Sequence, residues 1–118
     1  MSDRDLCVCA TEKKGKMILF ISSYNDILLP PISERLRALG EKITLENIPS
    51  IIGMDSNGWS FLWAKAKNPR GLLIEDWILE NGFCVETLGL LILSFVPGQD
   101  RQWIFPYPLR ELKYLIGK

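Results

Sequence analysis

The sequence predicts a mixed α/β (α+β) fold in which two helices cover one face of a mixed sheet. Apolar runs at residues 17–24 and 51–52 are continuous, as in strands that are buried on both faces. Apolar residues recur at helical spacing in residues 32–43 and 72–82. The connection from residue 30 to residue 51 is long enough for a helical crossover between parallel strands. The expected order is therefore strand, strand, helix, strand, helix, strand.

The first part of the chain predicts a hairpin followed by a helix. Residues 6–11 and 17–24 are expected to be strands, and the polar residues 12–16 form the turn, in which Gly15 can adopt a positive φ. Pro30 and Pro31 preset the start of the helix at residues 33–43. Gly40 weakens the centre of this helix by up to ~1 kcal/mol relative to Ala.

The second part predicts a buried strand that ends in a polar turn. Residues 51–52 lead into Gly53-Met54-Asp55-Ser56-Asn57, and a loop at residues 59–67 follows. The second helix ends at Asn81-Gly82, which is typical of a left-handed C-terminal cap. Residues 83–88 are expected to be a short strand and residues 109–116 a short terminal helix. The apolar residues 88–96 predict either a core strand or a segment that does not fit the fold.

Composition limits the function classes. The chain has 118 residues, enough for one small domain, and equal numbers of acidic and basic residues, whereas a free-standing nucleic-acid binder usually has a basic excess. Three cysteines argue against a disulfide framework, and the absence of His argues against a zinc site. With no secretory signal and no apolar run of ~18 residues, we expect an intracellular protein that is neither secreted nor membrane-spanning.

An ordered series of motifs surrounds Asp55 and Asn57. The apolar pair and Gly-x-Asp-x-Asn at residues 51–57 are followed by Trp63, by Asn-Pro-Arg-Gly at residues 68–71, and by the amphipathic segment 72–82. Upstream, residues 2–5 and 21–24 fit the same pattern. This series resembles the endonuclease/exonuclease/phosphatase superfamily, and most closely the endonuclease domain of non-LTR (LINE-like) retrotransposon polyproteins. The resemblance implies an incomplete half of an αββα sandwich at residues 1–88, with residues 89–118 as a divergent C-terminal segment.

The resemblance also implies roles for individual residues. Asp55 and Asn57 are the candidate catalytic residues: Asp55 would orient or deprotonate the attacking water, and Asn57 would hold the phosphate in the transition state. Tyr24 would bind the phosphate through its hydroxyl, unless it merely caps the edge of the core. These three side chains are expected to converge at one edge of the sheet.

Three further residues are candidate DNA contacts with structural alternatives. Arg70 either meets a phosphate or braces the loop. Trp63 and Lys65 belong to the segment 59–67, whose aromatic residues Trp59, Phe61 and Trp63 either pack in the core or, with Lys65 and Lys67, stack on and pair with nucleic acid.

The hydrolytic machinery that the resemblance implies is incomplete in this sequence. The family uses Mg²⁺, an upstream metal-binding Glu and a catalytic His, and this chain contains no His. Asp26 or Glu86 could replace a ligand, but we expect no metal to be bound by this chain. The predicted function is a truncated, inactive retrotransposon-derived endonuclease, with weak contact to DNA at most and self-association through an exposed core. The alternative is a co-opted α/β module that binds protein or nucleic acid without catalysis.

Overall fold

The computed structural model describes residues 5–87 and 90–97. Within these residues a mixed five-stranded sheet has the order β1-β2-β3-β5-β4. The strands are β1 (Leu6–Lys13), β2 (Lys16–Tyr24), β3 (Ser50–Asp55), β4 (Cys84–Val85) and β5 (Leu91–Phe95); the helices are α1 (Glu34–Leu45) and α2 (Pro69–Asn81). The predicted mixed fold with two helices is confirmed.

A tight turn joins β1 to β2. Lys14 and Gly15 have φ angles of 54° and 79°, and Lys13 pairs with Lys16 across the turn. Positive φ at both central residues is the geometry that matches the right-handed twist of a hairpin. The predicted hairpin is therefore present, and Gly15 does adopt the left-handed conformation.

The crossover through α1 makes β2 and β3 parallel neighbours. Ser33 caps the helix, since its Oγ accepts a hydrogen bond of 3.1 Å from the backbone N–H of Leu36. The parallel pairing continues from Leu19 opposite Ser50 to Tyr24 opposite Asp55. The carboxyl ends of both strands consequently meet at the same edge of the sheet.

Both helices pack on one face of the sheet, as the sequence predicts. The side chains of this core that come from the helices and the central strands are Leu36, Leu39, Ile43, Ile74, Trp77, Ile78, Leu19, Ile21, Ile52, Met54, Leu91 and Leu93. Gly40 lies where α1 approaches α2, because a Cβ at this position would lie 3.1 Å from the Trp77 ring. The glycine that weakens α1 locally thus lets the large indole pack against it.

The end of the described chain differs in detail from the prediction. The strand expected at residues 83–88 is limited to β4, which is two residues long. The apolar segment 88–96 contains a core strand, since β5 inserts between β3 and β4 and buries Leu91 and Leu93. The helix expected at residues 109–116 lies outside the described residues. Among the helices that are described, none has the length and apolar character needed to cross a membrane.

Candidate functional site

Tyr24 and Asp55 are neighbours at the carboxyl edge of the sheet. They are paired in register as the last residues of β2 and β3, and the Asn25 N–H donates to the Asp55 carbonyl at 2.8 Å. Adjacent strands are ~4.8 Å apart, so the two side chains start side by side. Their chain neighbours Ser23 and Met54 are buried, whereas Tyr24 is 47% exposed and Asp55 is exposed. Both therefore project from the second face of the sheet, the face opposite the helices.

Asp55 lies where two grooves meet. One groove of about 420 Å³ runs along the second face and is lined by Tyr24 and Asp55 together with Phe20, Gly53 and Ile92, among others. Another, of about 240 Å³, leads from Asp55 past Asn57 to Trp59. A ligand that reaches Asp55 could thus extend along the sheet or towards the loop that follows β3.

Asn57 ties the loop after β3 to the loop after β2. Its φ of 53° is in the left-handed region, which Asn tolerates better than most residues. Its Nδ2 donates to the Asn25 carbonyl at 3.0 Å. The amide donor that the resemblance assigns to a phosphate is therefore used in a contact between two loops.

Asn25 is buried at this edge of the sheet and makes several hydrogen bonds there. This role could not be predicted from the sequence. Its Oδ1 accepts from the Ser23 hydroxyl at 2.5 Å, and its Nδ2 donates to the Pro31 carbonyl at 2.8 Å. Its backbone carbonyl accepts from Asn57 and its N–H donates to Asp55. A buried amide needs partners for both of its polar atoms. The available signal was its position directly after Tyr24, but Asn at the end of a strand is usually a turn residue.

Arg70 links the two loops through hydrogen bonds to backbone carbonyls. Its guanidinium donates to the carbonyls of Leu29 at 2.7 Å, Asp26 at 2.8 Å, Asn25 at 2.9 Å and Ser56 at 3.1 Å. The planar fork of Arg suits such a set of fixed acceptors, and the charge strengthens each bond. These contacts direct the guanidinium towards the protein backbone.

Trp63 and Lys65 differ in accessibility. Trp63 is 1% exposed, and its indole N–H donates to the Gly58 carbonyl at 3.1 Å. A ring so deeply buried presents no face on which a base could stack, so Trp63 packs in the core. Lys65 is exposed on the same loop.

Two glycines allow the loop after β3 to lie against the start of α2. A Cβ on Gly71 would lie 1.8 Å from the Trp59 carbonyl oxygen, and one on Gly58 would lie 2.9 Å from the Gly71 nitrogen. Asn68 caps α2 and fixes the same loop, since its Oδ1 accepts from the N–H groups of Gly71 at 2.8 Å and Trp59 at 3.1 Å. The Asn-Pro-Arg-Gly motif is thus a structural connection that holds the candidate site in place.

The described residues contain no cluster of three or more metal-ligating side chains (His, Cys, Asp or Glu). Oxygen ligands from one or two carboxylates are usual for Mg²⁺. Asp26 accepts from the Leu28 N–H at 2.9 Å, and Glu86 accepts from the Ser94 hydroxyl. Asp26 and Glu86 are thus each engaged with a protein donor through one carboxylate oxygen.

Comparison with known proteins bears on the fold. No protein-family model matches the chain, and no curated protein matches it. Among solved structures, it is similar to the "endonuclease domain of TRAS1, a telomere-specific non-LTR retrotransposon", with a TM-score of 0.61 and 18% sequence identity. The match covers 78% of this chain and 50% of that domain, so the chain spans about half the length of the protein that it resembles. Over the matched residues the chain therefore has a fold similar to that part of the endonuclease domain.

Proposed function

We propose that this chain is a partial endonuclease domain of non-LTR retrotransposon origin that does not hydrolyse phosphodiester bonds by itself. The observation that carries the proposal is the pairing of Tyr24 with Asp55 at the edge of a sheet that has this endonuclease fold. The phenol at the mouth of a groove can donate to phosphate oxygens of a sugar-phosphate backbone, and the carboxylate beside it can accept a proton from water.

Hydrolysis is expected to fail because the reacting groups do not form a complete set. Asp55 could accept a proton from water, but the sequence contains no His to supply acid–base or electrostatic assistance. Residues of a concerted site act as a unit, so the loss of one typically lowers the rate by orders of magnitude.

A plasmid-nicking assay tests this proposal. With Mg²⁺ or Mn²⁺, the chain is expected to convert supercoiled plasmid to nicked circles no faster than the Asp55→Ala variant does. Asp55 is exposed at the strand end, so this substitution is expected to leave the fold intact. Metal-dependent nicking that disappears in Asp55→Ala would show that the chain is an active nuclease.

Thermal melting tests the expected lack of a cation site independently of activity. A cation that binds only the native state raises Tm by mass action. We expect the same Tm in millimolar Mg²⁺, in Mn²⁺ and in EDTA at matched ionic strength. A metal-dependent rise in Tm that Asp55→Ala abolishes would locate a cation site at this edge and contradict the expectation.

The second candidate function is a co-opted binding module without catalysis. The observation that favours it is the exposure of large apolar side chains next to the site, including Phe20, Tyr24, Trp59 and Phe61. A module with its own role is expected to unfold cooperatively and to protect its core amides from hydrogen exchange. Broad, non-cooperative unfolding with uniformly low protection would instead support a degenerate fragment.

A further inference from the structure

The loop at residues 59–67 presents two aromatic side chains to solvent. Trp59 is 51% exposed and Phe61 is 63% exposed, whereas Trp63 between the same strand and helix is buried. The aromatic surface that this loop offers to solvent is therefore formed by Trp59 and Phe61, and not by Trp63.

The loop is held in place by the protein beneath it. The Ala64 N–H donates to the Ser60 carbonyl at 2.8 Å, which closes a helical turn. The Ser60 hydroxyl donates to the Glu75 carboxylate on α2, and Asn68 exchanges hydrogen bonds with the backbone of Trp59. We refer to the exposed rings of Trp59 and Phe61 together as the platform. A platform that is ordered before binding loses less conformational entropy when a ligand binds.

Two lysines lie on the same loop as the two rings. Residues 56–68 contain Lys65 and Lys67 and no acidic residue. Both lysines are exposed, and the Lys67 ammonium lies 5.9 Å from the centroid of the Phe61 ring. Glu75 on α2 accepts a hydrogen bond from the Ser60 hydroxyl at a partly buried position. Lysines beside exposed aromatic faces are typical of surfaces that bind unpaired nucleotides.

The platform is continuous with the candidate site. The groove of about 240 Å³ that begins at Asp55 and Asn57 ends at Trp59. We propose that Trp59 and Phe61 stack on unpaired bases of a single-stranded nucleic acid, with Lys65 and Lys67 at its phosphates. This inference rests on the proposed function in taking nucleic acid as the ligand, but it requires no hydrolysis.

Binding of a short labelled oligodeoxythymidine, measured by fluorescence anisotropy in EDTA, tests the proposal. Base stacking on an aromatic side chain is worth enough that each of Trp59→Ala and Phe61→Ala is expected to weaken binding about tenfold. Trp59→Phe is expected to retain most of the affinity, and Leu79→Ala, which truncates a similarly exposed apolar residue on α2, is expected to change nothing. A duplex of the same length is expected to bind more weakly, since its bases are already stacked.

The lysines have a separate salt-dependent readout. Each of Lys65→Ala and Lys67→Ala is expected to reduce the slope of log K against log salt by about 0.7, as for loss of one contact to a single strand. Lys42→Ala is the charge-matched control, because Lys42 is paired with Glu46 on α1.

Several results would overturn the inference. These are the absence of oligodeoxythymidine binding, equal affinity in the aromatic variants, or an equal loss in Leu79→Ala. The two proposals fail separately. Absence of binding in EDTA would contradict base stacking on the loop, whereas metal-dependent nicking would contradict the proposed lack of hydrolysis. If the Asp55→Ala variant retained oligodeoxythymidine binding, the result would support base stacking on Trp59 and Phe61, because it would show that binding does not require the Asp55 carboxylate.

Discussion

Gly71 does not have a positive φ, so its position does not require the conformational freedom of glycine. It requires the absence of a Cβ, because two backbones approach each other closely there. A methyl group there would overlap the carbonyl of Trp59, at a distance of 1.8 Å. We expect Gly71→Ala to lower the free energy of unfolding by more than ~2 kcal/mol, because the contact atom belongs to the backbone and moves only with the loop. Urea unfolding followed by circular dichroism measures this.

Gly53 provides the matched control. It also has an ordinary φ, and no described atom lies within 4 Å of a Cβ built on it. Gly53→Ala is expected to change the free energy of unfolding by less than ~1 kcal/mol. Equal urea midpoints for the two variants would mean that the loop after β3 does not lie on the start of α2 as described.

Arg70 offers a test of bracing against phosphate contact. Arg70→Lys keeps the charge but replaces the planar fork with a single ammonium, which cannot reach the carbonyls of both loops. We expect a loss of about 2 kcal/mol or more in the free energy of unfolding. Arg37→Lys, on the exposed face of α1, is expected to stay within ~0.5 kcal/mol of the parent. Unchanged stability combined with weaker oligonucleotide binding would assign Arg70 to the ligand instead.

At the scale of elements, the N-terminal cap of α2 has a second task. Asn68 accepts hydrogen bonds from the helix and from the loop at Trp59, whereas Ser33 at α1 serves its own helix. We expect Asn68→Ala to cost about 1–2 kcal/mol and to accelerate hydrogen exchange at the Trp59 amide. Asn68→Asp keeps an acceptor oxygen and is expected to restore protection. If Ser33→Ala exposed the Trp59 amide equally, the loss would be global unfolding and the loop-fixing role would be refuted.

The elements themselves could be predicted well from local patterns. Hydrophobic periodicity and the turn residues place the hairpin, α1, β3 and α2, because each depends on residues that are close in sequence. The insertion of β5 between β3 and β4 could not be predicted in this way. Strand order depends on pairing between distant segments, which leaves no periodic signal in either one.

For the candidate site, too, some features could be predicted from the sequence and others could not. The convergence of Tyr24 with Asp55 follows from parallel strands that end together, so the motif and the crossover suffice to predict it. The hydrogen bonds that Asn25 and Asn57 make within the protein could not be predicted, since an Asn in a turn has the same sequence context whether its amide faces a ligand or a carbonyl. Burial also separates Trp63 from Trp59, and the alternation of aromatic residues in the loop does not reveal which ring lies inside.

At the scale of the whole molecule, the two faces of the sheet are unequal. Within the described residues both helices pack on one face, although β2 and β3 carry apolar side chains on both. The second face includes Phe20, which is 42% exposed, and the groove of about 420 Å³ lined also by Ile51 and Ile92. Contiguous exposed apolar surface on a small domain usually marks an interaction site or a tendency to self-associate.

We therefore expect the purified chain to bind a hydrophobic dye and to self-associate as its concentration rises. Phe20→Ser removes an exposed apolar ring from the β2 wall of this groove and is expected to reduce both dye fluorescence and the weight-average mass in sedimentation. Leu45→Ser is the control, because Leu45 is 81% exposed but lies at the end of α1, away from the groove. An isolated exposed leucine is ordinary on protein surfaces and has little effect on association. If both variants lowered association equally, general surface hydrophobicity would be the cause; if Phe20→Ser alone did so, association would be through the second face of the sheet.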